Sequence, residues 1–352
     1  MSNAIFTSVE DSNDAKLLVG KSLPTYRQAY SDRTSWLMAC MSELAYVKFN
    51  PLMSKRQQQY FGDRVRKLIK SSKKQSVVTS MIQSFAYDPD AEKQKLEGDL
   101  NLLSFKLEEV FDNKGTQAIL ASDGNRLVLA FRGTEATSIK DIKADAKANL
   151  EKCVSKGQVH HGFNKAYGQV SKAIQDKLDE VAYANMPLYI TGHSLGGALA
   201  TIAAKRLSHK GGLAACYTFG SPRVGDAEWT LNIKTPIYRL VNAADCVTML
   251  PPSDETITIV SWIFNLIPGY GQKVREFLLK HFKGYLHCGN MRYLTNCPKG
   301  NFENVQLLYS VSFFYRLKGV LVKKMPFGVF LSDHSISVYR KKLTRIADRN
   351  NR

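Results

Sequence analysis

The spacing of apolar residues changes once along this chain, near residue 104. Before that point the spacing is helical, and the clearest helix follows a predicted N-cap at Ser31 or Asp32. The apolar residues of this helix share one face: Trp36, Leu37, Met41, Leu44 and Ala45. Basic, Gln-rich segments at 53–70 and 74–85 also favour helices. We therefore predict that residues 1–104 form a helical N-terminal extension that packs on the core.

After residue 104 the pattern becomes that of strands, and then of strands alternating with helices. Three strands are predicted to form a β-meander, at 105–111, 116–121 and, the apolar one, 126–131. A strand, a helix and two further strands are predicted beyond it: 187–191, 195–209, 214–219 and 237–241. Such alternation is typical of a mostly parallel central sheet flanked by helices. Residues 105–352 are thus predicted to form one α/β domain.

Composition agrees with a globular chain of one large domain or two smaller ones. Of the 352 residues, 44% are hydrophobic and 10% are aromatic, which excludes a disordered or fibrous protein. The formal net charge is +18, and the last hundred residues supply +10 of it, with sixteen Lys and Arg against six Asp and Glu. A field of this sign attracts nucleic acid or an anionic membrane. No nucleic-acid-binding motif is recognisable, so no nucleic-acid partner is expected.

The sequence shows no targeting or metal-binding signal. Its first residues lack an apolar stretch of signal-peptide length, and no apolar run reaches the roughly 18–20 residues of a membrane span. We therefore expect a cytoplasmic protein or one exported by a leaderless route. The six cysteines are scattered without the spacing of a zinc or redox site, so mostly buried thiols and no metal are expected.

One motif carries chemistry. Gly192-His193-Ser194-Leu195-Gly196 joins a predicted apolar strand to an Ala-rich helix. In this context G-x-S-x-G is typical of a nucleophile elbow, a turn so tight that small residues must flank the serine. The helix beginning at Leu195 directs its free N–H groups at the same point and favours a developing oxyanion. Ser194 is therefore the predicted nucleophile.

A serine nucleophile needs a histidine base and a carboxylate, and in this architecture the chain order is Ser, Asp, His. The sequence favours Asp245 as the carboxylate, because it follows the apolar strand 237–241. The sites of open α/β sheets gather at such strand ends. Three histidines stay open as the base: His281, His287 and His334.

Five stretches resemble one family, in the same order along the chain. They are LVLAFRGTE, VHHGFNKAY, ITGHSLGGALA followed by YTFGSPRVGD, YRLVNAADCVTMLPP and DHSISVY. Together they resemble the class 3 (fungal-type) lipases over about residues 105–343. The resemblance implies an α/β-hydrolase fold. The N-terminal hundred residues resemble the helical leader of longer bacterial members, which implies a bacterial source.

Carried over position by position, the resemblance implies a triad of Ser194, Asp245 and His334. Asp245 stands where the family's Asn-x-x-Asp precedes a Pro-Pro pair, and His287 matches a second histidine motif that is usually structural. The implied oxyanion hole combines the backbone N–H groups of Thr134 and Leu195. This chemistry requires no metal and no organic cofactor.

An insertion at about 253–284 departs from the family pattern. It combines aromatic residues with bases: Trp262, Phe264, Lys273, Arg275 and Lys280. Such interleaving suits a membrane interface, and a core helix with a solvated basic face is equally compatible with it. A second basic stretch lies just before His334, so we interpret the C-terminal charge as a docking surface for lipid.

The sequence therefore predicts a serine esterase of the lipase type that hydrolyses acyl esters of glycerolipids. Its expected partners are a lipid or other ester substrate and, peripherally, a membrane or lipid interface, while the oligomeric state stays open. One alternative is a phospholipase acting on anionic membranes, including as a secreted effector. Others are a hydrolase of soluble or feruloyl esters, and a membrane-associating protein that keeps the hydrolase shell without turnover.

Overall fold

Strands and helices alternate along most of the chain. The computed structural model describes residues 4–20, 24–48, 88–133, 150–264, 270–298, 300–312, 314–316 and 332–350. The strands within these ranges are β1 (Lys106–Asn113), β2 (Thr116–Ser122), β3 (Leu127–Phe131), β4 (Leu150–Lys152), β5 (Gln158–His160), β6 (Leu188–His193), β7 (Leu213–Phe219), β8 (Ile237–Asn242), β9 (Asn290–Leu294) and β10 (Leu307–Leu308). The α-helices are α1 (Val9–Val19), α2 (Asp32–Leu44), α3 (Pro89–Leu102), α4 (His161–Leu178), α5 (Leu195–Arg206), α6 (Ala227–Leu231), α7 (Asp254–Phe264), α8 (Tyr270–Phe282) and α9 (Ile336–Arg349).

Eight strands form the central sheet in the order β1-β2-β3-β6-β7-β8-β9-β10. The first three are antiparallel, as the predicted meander requires. From β3 through β9 every neighbouring pair is parallel, and β10 closes the far edge antiparallel to β9. With helices on its faces, this is an α/β-hydrolase fold, and the predicted fold class is confirmed.

The central strands are buried on both faces, which is why they read as continuous apolar runs. In β3, Leu127, Leu129 and Phe131 point into one hydrophobic cluster, which includes residues of α4 and α5. Val128 and Ala130 point the other way, into a cluster that includes residues of α2 and α9. The two clusters lie on opposite faces of the sheet because successive side chains of a strand alternate in direction.

Helix α2 belongs to the second of these clusters. Its N-cap is Ser31, whose side chain accepts the Thr34 N–H, and nearly every residue of the helix is buried. The Ser42 hydroxyl lies 2.8 Å from that of Thr191 in β6. Helix α2 and the sheet thus share one core. The domain boundary at residue 104 stays a prediction. The predicted helical segments 53–70 and 74–85 lie outside the described residues.

The insertion at 253–284 contains α7 and α8, which pack against each other. The Asp254 carboxylate accepts the Gly284 N–H at 3.0 Å and so links the start of the insertion to its end. On α8, Phe277 is 60% exposed. Within the described ranges, no helix combines the length and apolar character that crossing a membrane requires.

Element boundaries differ slightly from the sequence-based prediction. Helix α5 ends at Arg206 rather than at residue 209, because Leu207 adopts an extended backbone. Strand β6 continues through His193, two residues beyond the predicted end. All six cysteines are free thiols, and Cys40 and Cys216 are buried while the other four are half-buried, so fewer are buried than expected.

Candidate active site

Ser194 occupies the single residue between strand β6 and helix α5. Its backbone has φ 57° and ψ −126°, a strained conformation for a residue with a side chain. A Cβ atom at Gly192 would overlap the Gly196 carbonyl, and one at Gly196 would overlap the Phe131 carbonyl. The turn therefore requires glycine at both flanking positions, as the motif predicts. It leaves the serine side chain at the carboxyl end of a central strand.

The hydroxyl of Ser194 contacts His334. The Ser194 Oγ and His334 Nε2 atoms are 2.8 Å apart, and His334 Nδ1 lies 3.0 Å from each carboxylate oxygen of Asp245. A carboxylate only accepts, so Nδ1 carries the proton and Nε2 accepts from the serine hydroxyl. All three side chains are buried. Of the three histidines that the sequence leaves open, the structure joins His334 to Ser194.

Asp245 is held by several donors in addition to His334. The Val247 N–H donates to Oδ1 at 3.0 Å, and the Tyr339 hydroxyl donates to Oδ2 at 2.6 Å. Burial alone would raise the pKa of the Asp245 carboxyl, but the charge of His334 and these hydrogen bonds outweigh it, so the pKa lies below its ordinary value. The carboxylate is therefore stabilised as an anion.

Space for the Asp245 and His334 side chains comes from Gly220, which follows β7. Its φ is +59°, in the left-handed region that favours glycine. A Cβ atom there would lie 2.7 Å from Asp245 Oδ2 and 2.9 Å from His334 Nδ1. Sequence reasoning missed this residue. Its position at the end of the strand beside the elbow is the signal that could have identified it.

Two other histidines near these residues have structural partners. His287 lies 2.7 Å from the carbonyl of Thr248 and donates to it through Nε2. Burial, together with the positive charges of Arg239 and Arg223, lowers the pKa of His287 well below its ordinary value. His193, next to Ser194, is also buried and contacts the backbone of His334 rather than the serine hydroxyl.

The two expected oxyanion donors differ in how far the structure describes them. Leu195 is the first residue of α5, so its N–H has no acceptor within the helix and faces the turn that carries Ser194. Thr134 lies outside the described residues. The residue before it, Gly133, is close to the elbow, since a Cβ atom there would lie 3.3 Å from the Ser194 Cβ.

The other carboxylates after Ser194 have different roles. Asp226 caps α6 by accepting the Trp229 N–H at 2.8 Å. Asp333 accepts the Ala244 N–H at 3.2 Å, which ties the segment before His334 to the end of β8. Within the described part of the chain, no group of three or more His, Cys, Asp or Glu side chains is arranged to hold a metal ion.

The sheet and its serine-bearing elbow define the class of protein as an α/β hydrolase. Residues 128–255 match the family described as lipase (class 3). A lipase of Caenorhabditis elegans is 32% identical over 136 residues, 36% of this chain and 38% of the relative. A secreted mono- and diacylglycerol lipase of Fusarium solani is 33% identical over 147 residues, 39% of this chain and 44% of the relative.

The chain spans less than half the length of these two relatives. Among solved structures, a lipase of Rhizopus microsporus var. chinensis aligns with 80% of this chain and 87% of its own, at 24% identity and a TM-score of 0.45. The two sequence relatives come from a nematode and a fungus, and the expected bacterial source has no support from them.

Proposed function

We propose that this chain is a serine esterase of the lipase type that hydrolyses acyl esters of glycerolipids. One observation carries the proposal: the continuous chain of hydrogen bonds from the Ser194 hydroxyl through His334 to Asp245. The family match over residues 128–255 and the names of the relatives support the same reaction. In this proposal Ser194 is the nucleophile, His334 the general base and Asp245 the orienting carboxylate.

The reaction follows from the protonation states that these contacts fix. His334 Nε2 takes the hydroxyl proton as Ser194 Oγ bonds to the ester carbonyl carbon, and the carbonyl oxygen becomes an oxyanion. The N–H of Leu195, with that of Thr134, stabilises this charge. His334 then donates its proton to the departing alcohol. The acyl group is now bonded to Ser194 Oγ. Water, activated by the same nitrogen, attacks this acyl-enzyme, breaks the bond to Oγ, releases the fatty acid and restores the Ser194 hydroxyl.

The anion of Asp245 has a defined part in this cycle. It holds the proton of His334 on Nδ1, which leaves Nε2 free to accept, and it stabilises the imidazolium formed after proton transfer. The carboxylate does not itself take up a proton. The pKa of the Asp245 carboxyl lies below its ordinary value, which keeps the carboxylate ionised near neutral pH.

The proposal is tested by covalent labelling and turnover. Wild-type protein should react with a fluorophosphonate probe and hydrolyse tributyrin, and Ser194→Ala should lose the label and at least roughly 10⁴-fold in kcat. Ser42→Ala is the matched control, because it removes another buried hydroxyl that bonds to Thr191. Wild-type turnover by Ser194→Ala would overturn the assignment. Absence of label and turnover in the wild type would favour a non-catalytic, membrane-associating protein.

A second candidate substrate, phospholipid in an anionic membrane, rests on the surface of α8. Phe277 is exposed on this helix together with the bases Lys273, Arg275 and Lys280. The acid among these residues, Glu276, is hydrogen bonded to Gln272 at 3.0 Å. An exposed aromatic ring surrounded by bases suits the headgroup region of an anionic bilayer, where each base contributes about 1 kcal/mol.

The two substrates are separated by a panel of tributyrin, triolein, phosphatidylcholine and phosphatidylglycerol at low and high salt. If α8 docks on anionic lipid, phosphatidylglycerol vesicles should bind best, and the variant Lys273→Gln/Arg275→Gln/Lys280→Gln should lose that preference. The control Lys165→Gln/Lys172→Gln/Lys210→Gln removes the same charge from other exposed positions. The docking surface would be excluded if vesicle binding did not change with salt concentration. It would also be excluded if the control variant weakened binding as much as the α8 variant does.

A further inference from the structure

We propose that Tyr46 and His193 are positioning residues that hold the backbone of the general base His334. The inference rests on the proposed function, since it assigns these two side chains a part in the same reaction. Neither side chain reaches the serine hydroxyl in the structure. They act through a second chain of hydrogen bonds, which ends on the backbone carbonyl of His334, whereas Asp245 contacts the ring.

The contacts fix the direction of every hydrogen bond in this second chain. His193 Nε2 lies 2.6 Å from the carbonyl oxygen of His334, and a carbonyl only accepts, so Nε2 carries the proton. Nδ1 of the neutral ring is then an acceptor. The Tyr46 hydroxyl, 2.8 Å away, donates to it. Burial, and then the positive charge of His334, lowers the pKa of His193 to about 3, which keeps the ring neutral.

His334 is thereby held at two points. Its side chain is fixed by Asp245, and its carbonyl is fixed by His193, whose ring centroid lies 4.5 Å from that of His334. The Asn242 side-chain amide also donates to the neighbouring Asp333 carbonyl at 2.8 Å. Since Nε2 must meet the Ser194 hydroxyl within a few tenths of an ångström, fixing the backbone contributes directly to that alignment.

Tyr46 is itself well anchored, although it follows the end of α2. Glu43, near the end of α2, forms a 2.5 Å ion pair with Arg340 of α9. On its other side Tyr46 is packed so closely against Gly133 that a Cβ atom there would overlap the phenol oxygen. The N-terminal region therefore holds the Tyr46 hydroxyl at a fixed position beside the elbow.

A purely structural role for Tyr46 makes a different prediction from a positioning role. If Tyr46 only fastens α2 to the sheet, then loss of any hydroxyl that joins α2 to β6 should have similar effects. Ser42→Ala is the matched comparison, because it removes such a hydrogen bond without touching His193 or His334. If Tyr46 positions the base, Tyr46→Phe should affect turnover and Ser42→Ala should not.

The test compares kcat and KM for a soluble ester, the rate of fluorophosphonate labelling and the thermal midpoint in five proteins: wild type, Tyr46→Phe, Ser42→Ala, His193→Ala and His193→Gln. We expect Tyr46→Phe to lose about tenfold in kcat and in labelling rate, the effect of one misplaced hydrogen bond, with KM unchanged. His193→Ala should lose more. His193→Gln should recover part of the loss, because its amide can donate to the same carbonyl.

A spectroscopic measurement reports on the contact between His334 and Asp245 independently of overall stability. The proton between His334 Nδ1 and Asp245 should give a low-field NMR resonance, and we expect it to shift in Tyr46→Phe and His193→Ala and to stay in place in Ser42→Ala. Wild-type rates and an unshifted resonance in Tyr46→Phe and His193→Ala would overturn the inference while leaving the serine esterase intact. An unlabelled wild-type protein would instead overturn the proposed function, and the inference with it.

Discussion

The Tyr339 hydroxyl donates a 2.6 Å hydrogen bond to Oδ2 of Asp245. The Tyr339 phenol oxygen also accepts the backbone N–H of Asn242 at 2.9 Å, so one phenol links the end of β8 to the Asp245 carboxylate. Burial, followed by the nearby charge of Asp245, raises the pKa of Tyr339 far above its ordinary value, which keeps the proton on the phenol. Asp245 is thus oriented by a donor that never loses its proton in the working pH range.

Tyr339→Phe should therefore weaken catalysis without abolishing it. Loss of the donor leaves Asp245 with one fewer stabilising hydrogen bond and leaves the Asn242 N–H without its acceptor, so we expect about tenfold lower kcat and roughly 1–3 kcal/mol less stability. Ester turnover and urea unfolding measure the two effects. Tyr167→Phe, in the cluster on the other face of the sheet, is the control and should keep wild-type kcat. Equal kcat in the two variants would contradict this role for Tyr339.

Gly220→Ala should misalign the triad while leaving the fold in place. The new Cβ would meet Asp245 and His334 at less than 3 Å, so the two side chains must shift, and we expect a loss of about 10²-fold in kcat. Gly124→Ala is the control, since Gly124 also has a positive φ but nothing lies within 4 Å of its Cβ position. Both variants carry the strain of an alanine at a positive φ, so both should lose stability. Only Gly220→Ala should also lose kcat.

The elbow and the strand that carries Asp245 could be predicted from local sequence, because each depends on residues adjacent in the chain. Ser194 needs small neighbours two positions away, and Asp245 follows an apolar strand. Choosing His334 over His287 required the family resemblance, since both are histidines downstream of the nucleophile. The structure separates them by partner: His334 contacts Ser194, and His287 contacts a carbonyl.

Tyr46 could not be predicted in this way. It lies 147 positions before His193, and only the packing of α2 on β6 brings the two together.

Two bases of the basic C-terminal segment do not fit the predicted docking surface for lipid. Arg340 and Lys342 flank the predicted site in sequence, yet both are buried on α9, where Lys342 donates to Asn242 at 2.6 Å. These two bases stabilise the fold and are not available to dock on lipid.

Acid should destabilise the protein through its buried neutral histidines. Burial, and then neighbouring positive charge, lowers the pKa of His193 to about 3 and that of His287 well below its ordinary value. From about pH 6.5 downward the unfolded chain binds protons that the native state excludes, so stability falls toward pH 3 by about 1.4 kcal/mol per pH unit for each histidine. Stability should be fully regained above pH 6.5.

His287→Gln tests this dependence, because its amide can still donate to Thr248 but does not titrate. Urea midpoints at pH 7.5, 6 and 5 should fall less steeply in this variant than in the wild type. His161→Gln, at an exposed position paired with Glu151, is the comparison variant for a histidine outside the core. If His287→Gln falls as steeply as the wild type, the buried ring at this position does not contribute to the acid sensitivity.

The ion pair between Arg340 and Glu43 should be a main link between the N-terminal helices and the C-terminal helix. The Arg340 side chain is 3% exposed and that of Glu43 is 14% exposed, and they meet at 2.5 Å. Burial raises the pKa of Glu43 and the charge of Arg340 opposes that effect. Removing Arg340 therefore leaves the Glu43 carboxyl buried without this ion-pair partner. Arg340→Met should cost about 3–5 kcal/mol of unfolding free energy, as breaking a buried pair does.

A double-mutant cycle separates the pair from its surroundings. Arg340→Met/Glu43→Gln should cost clearly less than the sum of the two single variants, because neither partner is then left charged and buried. Lys93→Gln, which breaks an exposed pair with Glu97, should cost less than about 1 kcal/mol and serves as the comparison. Strictly additive effects of Arg340→Met and Glu43→Gln would mean that the two residues stabilise α2 and α9 independently, and that the N-terminal region is not held to the site by this contact.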